Sequence, residues 1–580
     1  MGVPTHPTPN GFQVVDLTVN IPSSVRYSLS SVPLENGKQP APSRWGTLEF
    51  KVYYLVFLVV VPIMAWIPVS LSSPSNPNFI LYRNRLEEGW IPGRLVDNSD
   101  AQYRIFRNNV PVLSVAILFH LLVKYVVSSI PSNSTPASNT SRTRKRFTVP
   151  SSLTFNFVFS LITVTVLHGI NAVKILLILF INYLLAKKLK GSRSGVVMNW
   201  VFNGAILFGN EVFEGWRFGQ WFEGLAWLDA HAGLYHRWYI SFNITMLRLI
   251  SFTMDYYWAC NKKGKDLENL EGIKDLTEKQ RQAISHPDSA YSFSNFVAYA
   301  LYPPLYLAGP IITFNDFMWQ HRYPNMQPPM STPIKGYIIR FLFSFLTMEC
   351  ILHFMYVVAI KDRKAWRGFS PAQISMVGFW NLIIVWLKLL IPWRFFRLWA
   401  LLDGVDPPEN MVRCMANNYS TMGFWRSWHR SYNLWIIRYI YVPLGGAKSF
   451  IINTILVFSF VALWHDLTFR LLAWGWLVSL FIMPELFARW LVPSSKYGHK
   501  SWYRHFAALG AVGNVLMMMG ANLVGFVVGT EGLQFFVGEL FGTARGLRFL
   551  AGAAACLFVG VQIMFEYREE ERRRGIYRRC

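Results

Sequence analysis

Long apolar runs separated by short polar and basic stretches dominate the chain beyond its first 50 residues. The first run, Val52–Leu71, has the roughly 20 residues an α-helix needs to cross a hydrocarbon core. Pro62 and Pro68 predict a bend within it, which neighbouring helices can accommodate in a membrane. Ser72–Asn109 carries Arg83, Arg85, Glu87, Glu88 and Arg94; it is too charged to cross and is expected to form an interfacial hairpin or helix pair. A second span is predicted over Val110–Ile130. Leu153–Ala186 is apolar apart from His168-Gly169 and Lys174, a pattern that predicts two helices in a hairpin. Residues 196–235, rich in Gly and Trp, read as re-entrant or interfacial. Asn261–Asp288 is highly charged and reads as a short cytosolic helix with loops. Further spans are predicted at Trp238–Trp258, Phe293–Phe314, Gly336–Ile360, Ile374–Ile391, Phe450–Trp464, Leu467–Phe487, Phe506–Val528 and Phe549–Phe565.

These runs predict an all-α, polytopic integral membrane protein of about 10–13 transmembrane or re-entrant helices. Residues 1–48, with Pro4, Pro7, Pro9, Pro40 and Pro42, are expected to be a flexible polar tail. Residues 49–566 are expected to form the membrane domain, and 567–580 a charged C-terminal tail forming a short surface helix.

Composition agrees. Apolar residues make up 52% of the 580-residue chain and charged residues only 15%, against about 25% charged in soluble domains. The formal net charge of +24 would suggest nucleic acid in a soluble protein. Here the basic residues lie between apolar runs, so anionic lipid headgroups explain them and no nucleic-acid partner is expected. Arg142, Arg144, Lys145 and Arg146 on one side of the predicted hairpin, and Lys187, Lys188, Lys190 and Arg193 on the other, place both its ends in the cytosol. Glycosylation triplets at Asn133 and Asn139 argue for the opposite side, but such triplets are common by chance. The five cysteines, Cys260, Cys350, Cys414, Cys556 and Cys580, have no CxxC spacing, which argues against a disulfide framework or a zinc site. Nucleotide-binding glycine loops and HExxH are absent from the sequence.

Two segments carry candidate chemistry. In Phe424–Gly446, Trp425, Trp428, Tyr432, Trp435 and Tyr439 fall on one helical stripe, with His429 and Asn433 beside it and Arg426 and Arg430 on the next face. Ser420 or Thr421 is placed to cap the start, and Pro443 with Gly445-Gly446 to end a helix of about five turns. An interfacial anchor helix would show the same pattern. The second segment is Leu463-Trp464-His465-Asp466, between two apolar runs. A histidine and a carboxylate near membrane depth ordinarily face a protein interior or a wet cavity, although a polar interfacial turn would read alike. The residues alone leave both segments open.

Together they resemble the signature of the membrane-bound O-acyltransferase (MBOAT) superfamily. Its W-H-x-S-x-x-x-W helix corresponds to Trp428–Trp435, its Y-x-P-L-G-G turn to Tyr441–Gly446, and its later lone histidine to His465. The wording WRSWHRSYNLWIIRYIYVPLGG and LWHDLTFRLLAWGWL is similar to the fungal glycerol-uptake branch, related to the hedgehog acyltransferases. The resemblance implies the MBOAT fold and transfer of a long-chain acyl group from the co-substrate acyl-CoA to a lipid hydroxyl, with no cofactor required. His465 would be the general base, and His429 would orient substrates or stabilise the oxyanion, with Asn433 assisting. Trp428 and Trp464 would contact substrate, and Arg426, Arg430 and Arg438 would meet CoA phosphates. Cys414 would be a haem thiolate ligand, as in the hedgehog relatives. The implied acceptor is a lysophospholipid or lyso-glycosylphosphatidylinositol (lyso-GPI), in GPI-anchor remodelling. The implied location is the endoplasmic reticulum membrane, with the plasma membrane as a second site. A proton-coupled glycerol carrier and an inactive membrane scaffold are the rival readings. No internal repeat favours the carrier, and retention of both histidines weighs against the scaffold.

Overall fold

The computed structural model describes residues 41–129, 149–261, 276–323, 333–527, 529–576 and 578. Most of the expected N-terminal tail, the triplets at Asn133 and Asn139, the cluster from Arg142 to Arg146, much of Asn261–Asp288, and Cys580 lie outside the described residues.

The first helix, α1 (Leu48–Leu71), starts on Thr47, whose side chain accepts a hydrogen bond from the Phe50 amide, and contains both prolines. A one-turn helix α2 (Phe79–Tyr82) leads to a two-residue antiparallel pairing of β1 (Glu87–Glu88) with β2 (Leu95–Val96), the hairpin form of the two expected. Helix α3 (Ala101–Ser129) begins earlier than the apolar run. Its polar first turns are anchored by protein contacts, Tyr103 Oη donating to Glu349 Oε1 at 2.9 Å and Arg104 Nη1 to the Asn98 carbonyl at 2.9 Å. Helices α4 (Val149–His168) and α5 (Asn171–Lys188) form the predicted hairpin. Gly169 makes the break possible: its φ is +54°, and a Cβ there would sit 2.0 Å from the His231 carbonyl oxygen.

Residues 196–235 divide in two, correcting the expectation of one re-entrant or interfacial segment. Their first part is helix α6 (Arg193–Phe213), and only the remainder, α7 (Phe218–Trp221) with a 3₁₀ turn at Glu223–Ala230, is short and irregular. Helix α6 hid from periodicity because its buried face carries asparagines. Asn199 and Asn203 donate to Asn182 Oδ1 of α5 at 2.7 and 2.8 Å. Helix α8 (Trp238–Cys260) is buried along most of its length, and α9 (Glu278–Ala283) is a single capped turn.

Phe293–Phe314 is not a span. It breaks into α10 (Phe293–Ala300) and α11 (Pro303–Tyr306), then an extended stretch before α12 (Phe314–Arg322). Pro303, Pro304 and Pro310 lack the amide donors a continuous helix needs. The segment is apolar because protein surrounds it, not lipid. Next come α13 (Ile334–Phe354), α14 (Val357–Asp362) and the long α15 (Pro371–Asp403), 33 residues with Pro392 inside. Beyond a polar connection lie α16 (Thr421–Ser427), α17 (Arg430–Ile436), α18 (Phe450–His465), α19 (Phe469–Leu491), α20 (Ser494–Tyr497), α21 (Tyr503–Asn522), α22 (Gly529–Phe541) and α23 (Ala544–Arg573). Helix α22 is not visible as a run in the sequence. Helix α23 continues unbroken past residue 566, and Glu566, Arg568 and Glu571 on it are buried, so the charged end is not a separate surface helix.

Among the described residues eight helices are long and apolar enough to cross a membrane, and strand is confined to the β1–β2 pair. The all-α, multi-pass architecture is therefore as expected. Apolar side chains such as Leu55, Leu118 and Phe119 point outward from α1 and α3 with more than half their surface exposed, as lipid contact requires. Inside, two large apolar clusters form. One gathers α4, α5, α8 and α10–α12 with Tyr432, Trp435, Val461 and Trp474. The other gathers α1–α3 and α13–α15.

Candidate active site

The segment Ser420–Gly446 starts as predicted, with Ser420 Oγ accepting from the Gly423 amide at 3.0 Å. Glu485 of α19 strengthens this cap, accepting from Ser420 Oγ at 2.6 Å and from the Met422 amide at 3.3 Å. The helix is not continuous, however. Trp428 leaves it in extended geometry, and His429 takes the left-handed conformation (φ 44°, ψ 49°) before α17 begins. A left-handed residue other than glycine costs on the order of 1–3 kcal/mol and persists only where surroundings impose it. Asn410 imposes it: its carbonyl accepts from the Arg430 amide at 3.0 Å and its Oδ1 from the Ser431 amide at 3.2 Å. Ser431 Oγ in turn accepts from the Ile311 amide at 2.9 Å. Beyond α17 the chain winds as a π-turn over Ile437–Tyr441, a form frequent at functional sites. Buried Asp255 of α8 holds it, accepting from Arg438 Nη2 at 2.7 Å and Tyr439 Oη at 3.0 Å. Gly445 and Gly446, at φ +101° and +61°, end it where the sequence predicts.

The break turns His429 toward α18, whose last residue is His465. Both line one cavity of about 210 Å³, at the seam of the two apolar clusters. Val385, Leu389 and Trp393 of α15 form one wall. Met422, Trp425, Arg426, Trp428, Tyr432 and Asn433 form another, closed by Val457, Phe458 and Val461 of α18 and Trp474 and Ile482 of α19. The His429 ring stacks on Trp393 at 4.4 Å, and the Tyr432 ring stands between the histidines, 5.1 Å from His429 and 6.4 Å from His465. His465 is exposed although it sits in this wall. Neither imidazole forms a hydrogen bond among the described residues.

The wall also holds polar atoms with no partner among the described residues: Trp425 Nε1, Tyr432 Oη, Asn433 Oδ1, Tyr441 Oη and Trp474 Nε1. Each such buried group costs about 1–3 kcal/mol, so the set marks the cavity as built for a polar group inside an apolar pocket.

The candidate residues separate by position. His429, His465, Asn433, Trp428 and Arg426 meet in the cavity, Arg426 with its Nη2 2.8 Å from Met422 Sδ. Arg430 does not line it, because it is paired with Glu278 at 3.1 Å. Arg438 is taken by Asp255 and lies over the Trp258 ring at 4.6 Å. Neither lines the cavity. Trp464 points away from it, its indole donating to the Asn243 carbonyl at 2.9 Å. Cys414 lies in the connection before α16, outside the wall. Burial pushes its thiol above the ordinary range, although the Ala416 and Asn417 amides oppose this. Among the described residues no cluster of three or more His, Cys, Asp or Glu side chains gathers there or elsewhere, so the structure gives a haem at Cys414 no support. Residues missed at the sequence level include Trp393, which no local pattern marks, and Asn410 and Asn243, whose only signal is an amide among apolar neighbours. Tyr432 was legible only as part of an aromatic stripe.

The described residues of this helical membrane protein thus gather two imidazoles without hydrogen-bond partners and several unpaired donors in one apolar cavity. Residues 229–530 match the family described as MBOAT, membrane-bound O-acyltransferase family. The chain belongs to that family and is an acyltransferase. It is 46% identical over 549 residues to the membrane-bound O-acyltransferase GUP1 of Saccharomyces cerevisiae, covering 93% of this chain and 94% of the relative. Membrane-bound O-acyltransferase GUP2 of the same yeast is 40% identical over 587 residues, covering 96% and 92%. A more distant similarity, 28% over 202 residues, covers 32% of this chain and 39% of the protein-cysteine N-palmitoyltransferase HHAT of Mus musculus.

Proposed function

We propose that the chain moves a long-chain acyl group from acyl-CoA to a lipid hydroxyl, with His465 as general base. The carrying observation is an imidazole without a protein partner, facing an apolar cavity whose wall holds unsatisfied polar groups. An imidazole of ordinary pKa, ~6.5, is neutral and basic near pH 7. It takes the hydroxyl proton as the oxygen attacks the thioester carbonyl; the tetrahedral oxyanion collapses, the C–S bond breaks, and the CoA thiolate leaves and is protonated. His429, Tyr432 and the Asn433 amide are the groups beside His465 that can donate to that oxyanion. Arg426, which lines the same cavity, would meet a donor phosphate.

The acceptor we favour is a lyso-GPI glycerol hydroxyl in the endoplasmic reticulum membrane, a choice supported by the motif wording shared with the fungal glycerol-uptake branch. The test uses purified protein in detergent with a long-chain acyl-CoA, offering lyso-GPI or a plain lysophospholipid. His465→Ala should slow acyl-CoA consumption by about 10²–10⁴-fold. Equal turnover by wild type and variant would rule out the base. Preference for the plain lysophospholipid would move the acceptor assignment away from GPI remodelling. Labelled glycerol uptake into proteoliposomes that survives both His465→Ala and His429→Ala would favour a carrier.

A further inference from the structure

His465 is the last residue of α18, and helix ends fray because their final carbonyls lack intrahelical partners. The following residue, Asp466, is already extended (φ −173°, ψ 145°). The base therefore hangs on a helix end that must be held from outside. Asn243, on the buried helix α8, holds it: Asn243 Nδ2 donates to the Trp464 carbonyl at 3.0 Å, and Trp464 Nε1 donates back to the Asn243 carbonyl at 2.9 Å. The two bonds close a ring that fixes both the backbone and the indole of the residue preceding His465. The same indole packs on Tyr432 at 4.5 Å and edge-on to the His465 ring at 4.7 Å. One amide on α8 thus sets the direction of the His465 imidazole and its spacing from the segment that carries His429.

We infer that Asn243 is a positioning residue for His465, acting through Trp464, which is a structural partner of the base and not a substrate contact. This rests on the general-base assignment proposed above. Misplacing a reacting group by about 1 Å can cost roughly 100-fold in rate, whereas substrate affinity is set by a cavity wall that Asn243 does not line.

The test compares Asn243→Ala, Asn243→Asp and Trp464→Phe with wild type, reading kcat and the acyl-CoA KM per folded molecule. Asp keeps the size of Asn but its carboxylate cannot donate to the Trp464 carbonyl; Phe keeps an aromatic ring but loses the return bond. Each should lower kcat by about tenfold or more with KM within about twofold. If Asn243→Ala does not fold, Trp464→Phe carries the same reading. Wild-type kcat in the folded variants, with His465→Ala inactive, would overturn the clamp alone. Wild-type turnover by His465→Ala would overturn the base assignment and the clamp with it.

Discussion

At the scale of single residues, the two histidines owe their availability to what does not touch them. His429 is stacked on Trp393 and His465 is edge-on to Trp464, so aromatic faces hold the rings, and both residues line the cavity. Replacing His429 by Ala should reduce turnover strongly and also lower the melting temperature in detergent, because the ring packing on Trp393 and Tyr432 is lost; initial rates and a thermal scan on one preparation check both parts. Tyr432 provides a sharper contrast. Its hydroxyl is buried without a partner, so Tyr432→Phe should leave stability unchanged or slightly raised. If that hydroxyl donates to the oxyanion, kcat should fall by about 100–1,000-fold, the range for loss of one such donor. An unchanged kcat would remove Tyr432 from the chemistry.

At the scale of elements, the segment carrying His429 shows how far local reading reaches. The Ser420 cap and the glycine stop were legible because both are short-range effects of side-chain oxygen and backbone freedom. The break at His429 was not, because the groups that impose it come from Asn410 and, through Ser431, from Ile311. Nothing in the 3.6-residue periodicity of Trp425, Trp428 and Tyr432 signals that interruption. The cap itself yields a prediction: Ser420→Ala should cost about 0.5–2 kcal/mol, read as a lower melting temperature. Turnover should fall as well, since α16 delivers His429 to the cavity.

At the scale of the molecule, buried charges tie distant elements to the site. Asp255 on α8 neutralises Arg438 and holds the π-turn at the cavity edge. Asp255→Leu should therefore destabilise by about 3–5 kcal/mol, since it leaves Arg438 buried and unpaired. Adding Arg438→Met should recover part of that loss, and a double-mutant cycle of melting temperatures measures how much. The end of α23 is tied in similarly: Arg413 pairs with Glu571, Arg504 with Glu566, and the Arg44 amide donates to Glu566 Oε1 at 3.0 Å. Deleting residues 567–580 should lower yield and melting temperature, which loss of a loose tail would not do.

The sequence by itself determined the membrane class and most of the long spans, and marked His429 and His465 as candidates. Each of these is local: a run long enough to cross hydrocarbon, a cap, a glycine turn, a short motif. Only the tertiary structure decided that α6 is a helix with an amide-bearing buried face, that Phe293–Phe314 is wrapped by protein and not by lipid, and that Arg430 and Arg438 are neutralised by Glu278 and Asp255. It also brought His429 and His465 into one cavity and placed Asn243 against Trp464. These outcomes depend on partners far away in the chain, and an apolar run reads the same whether lipid or protein covers it.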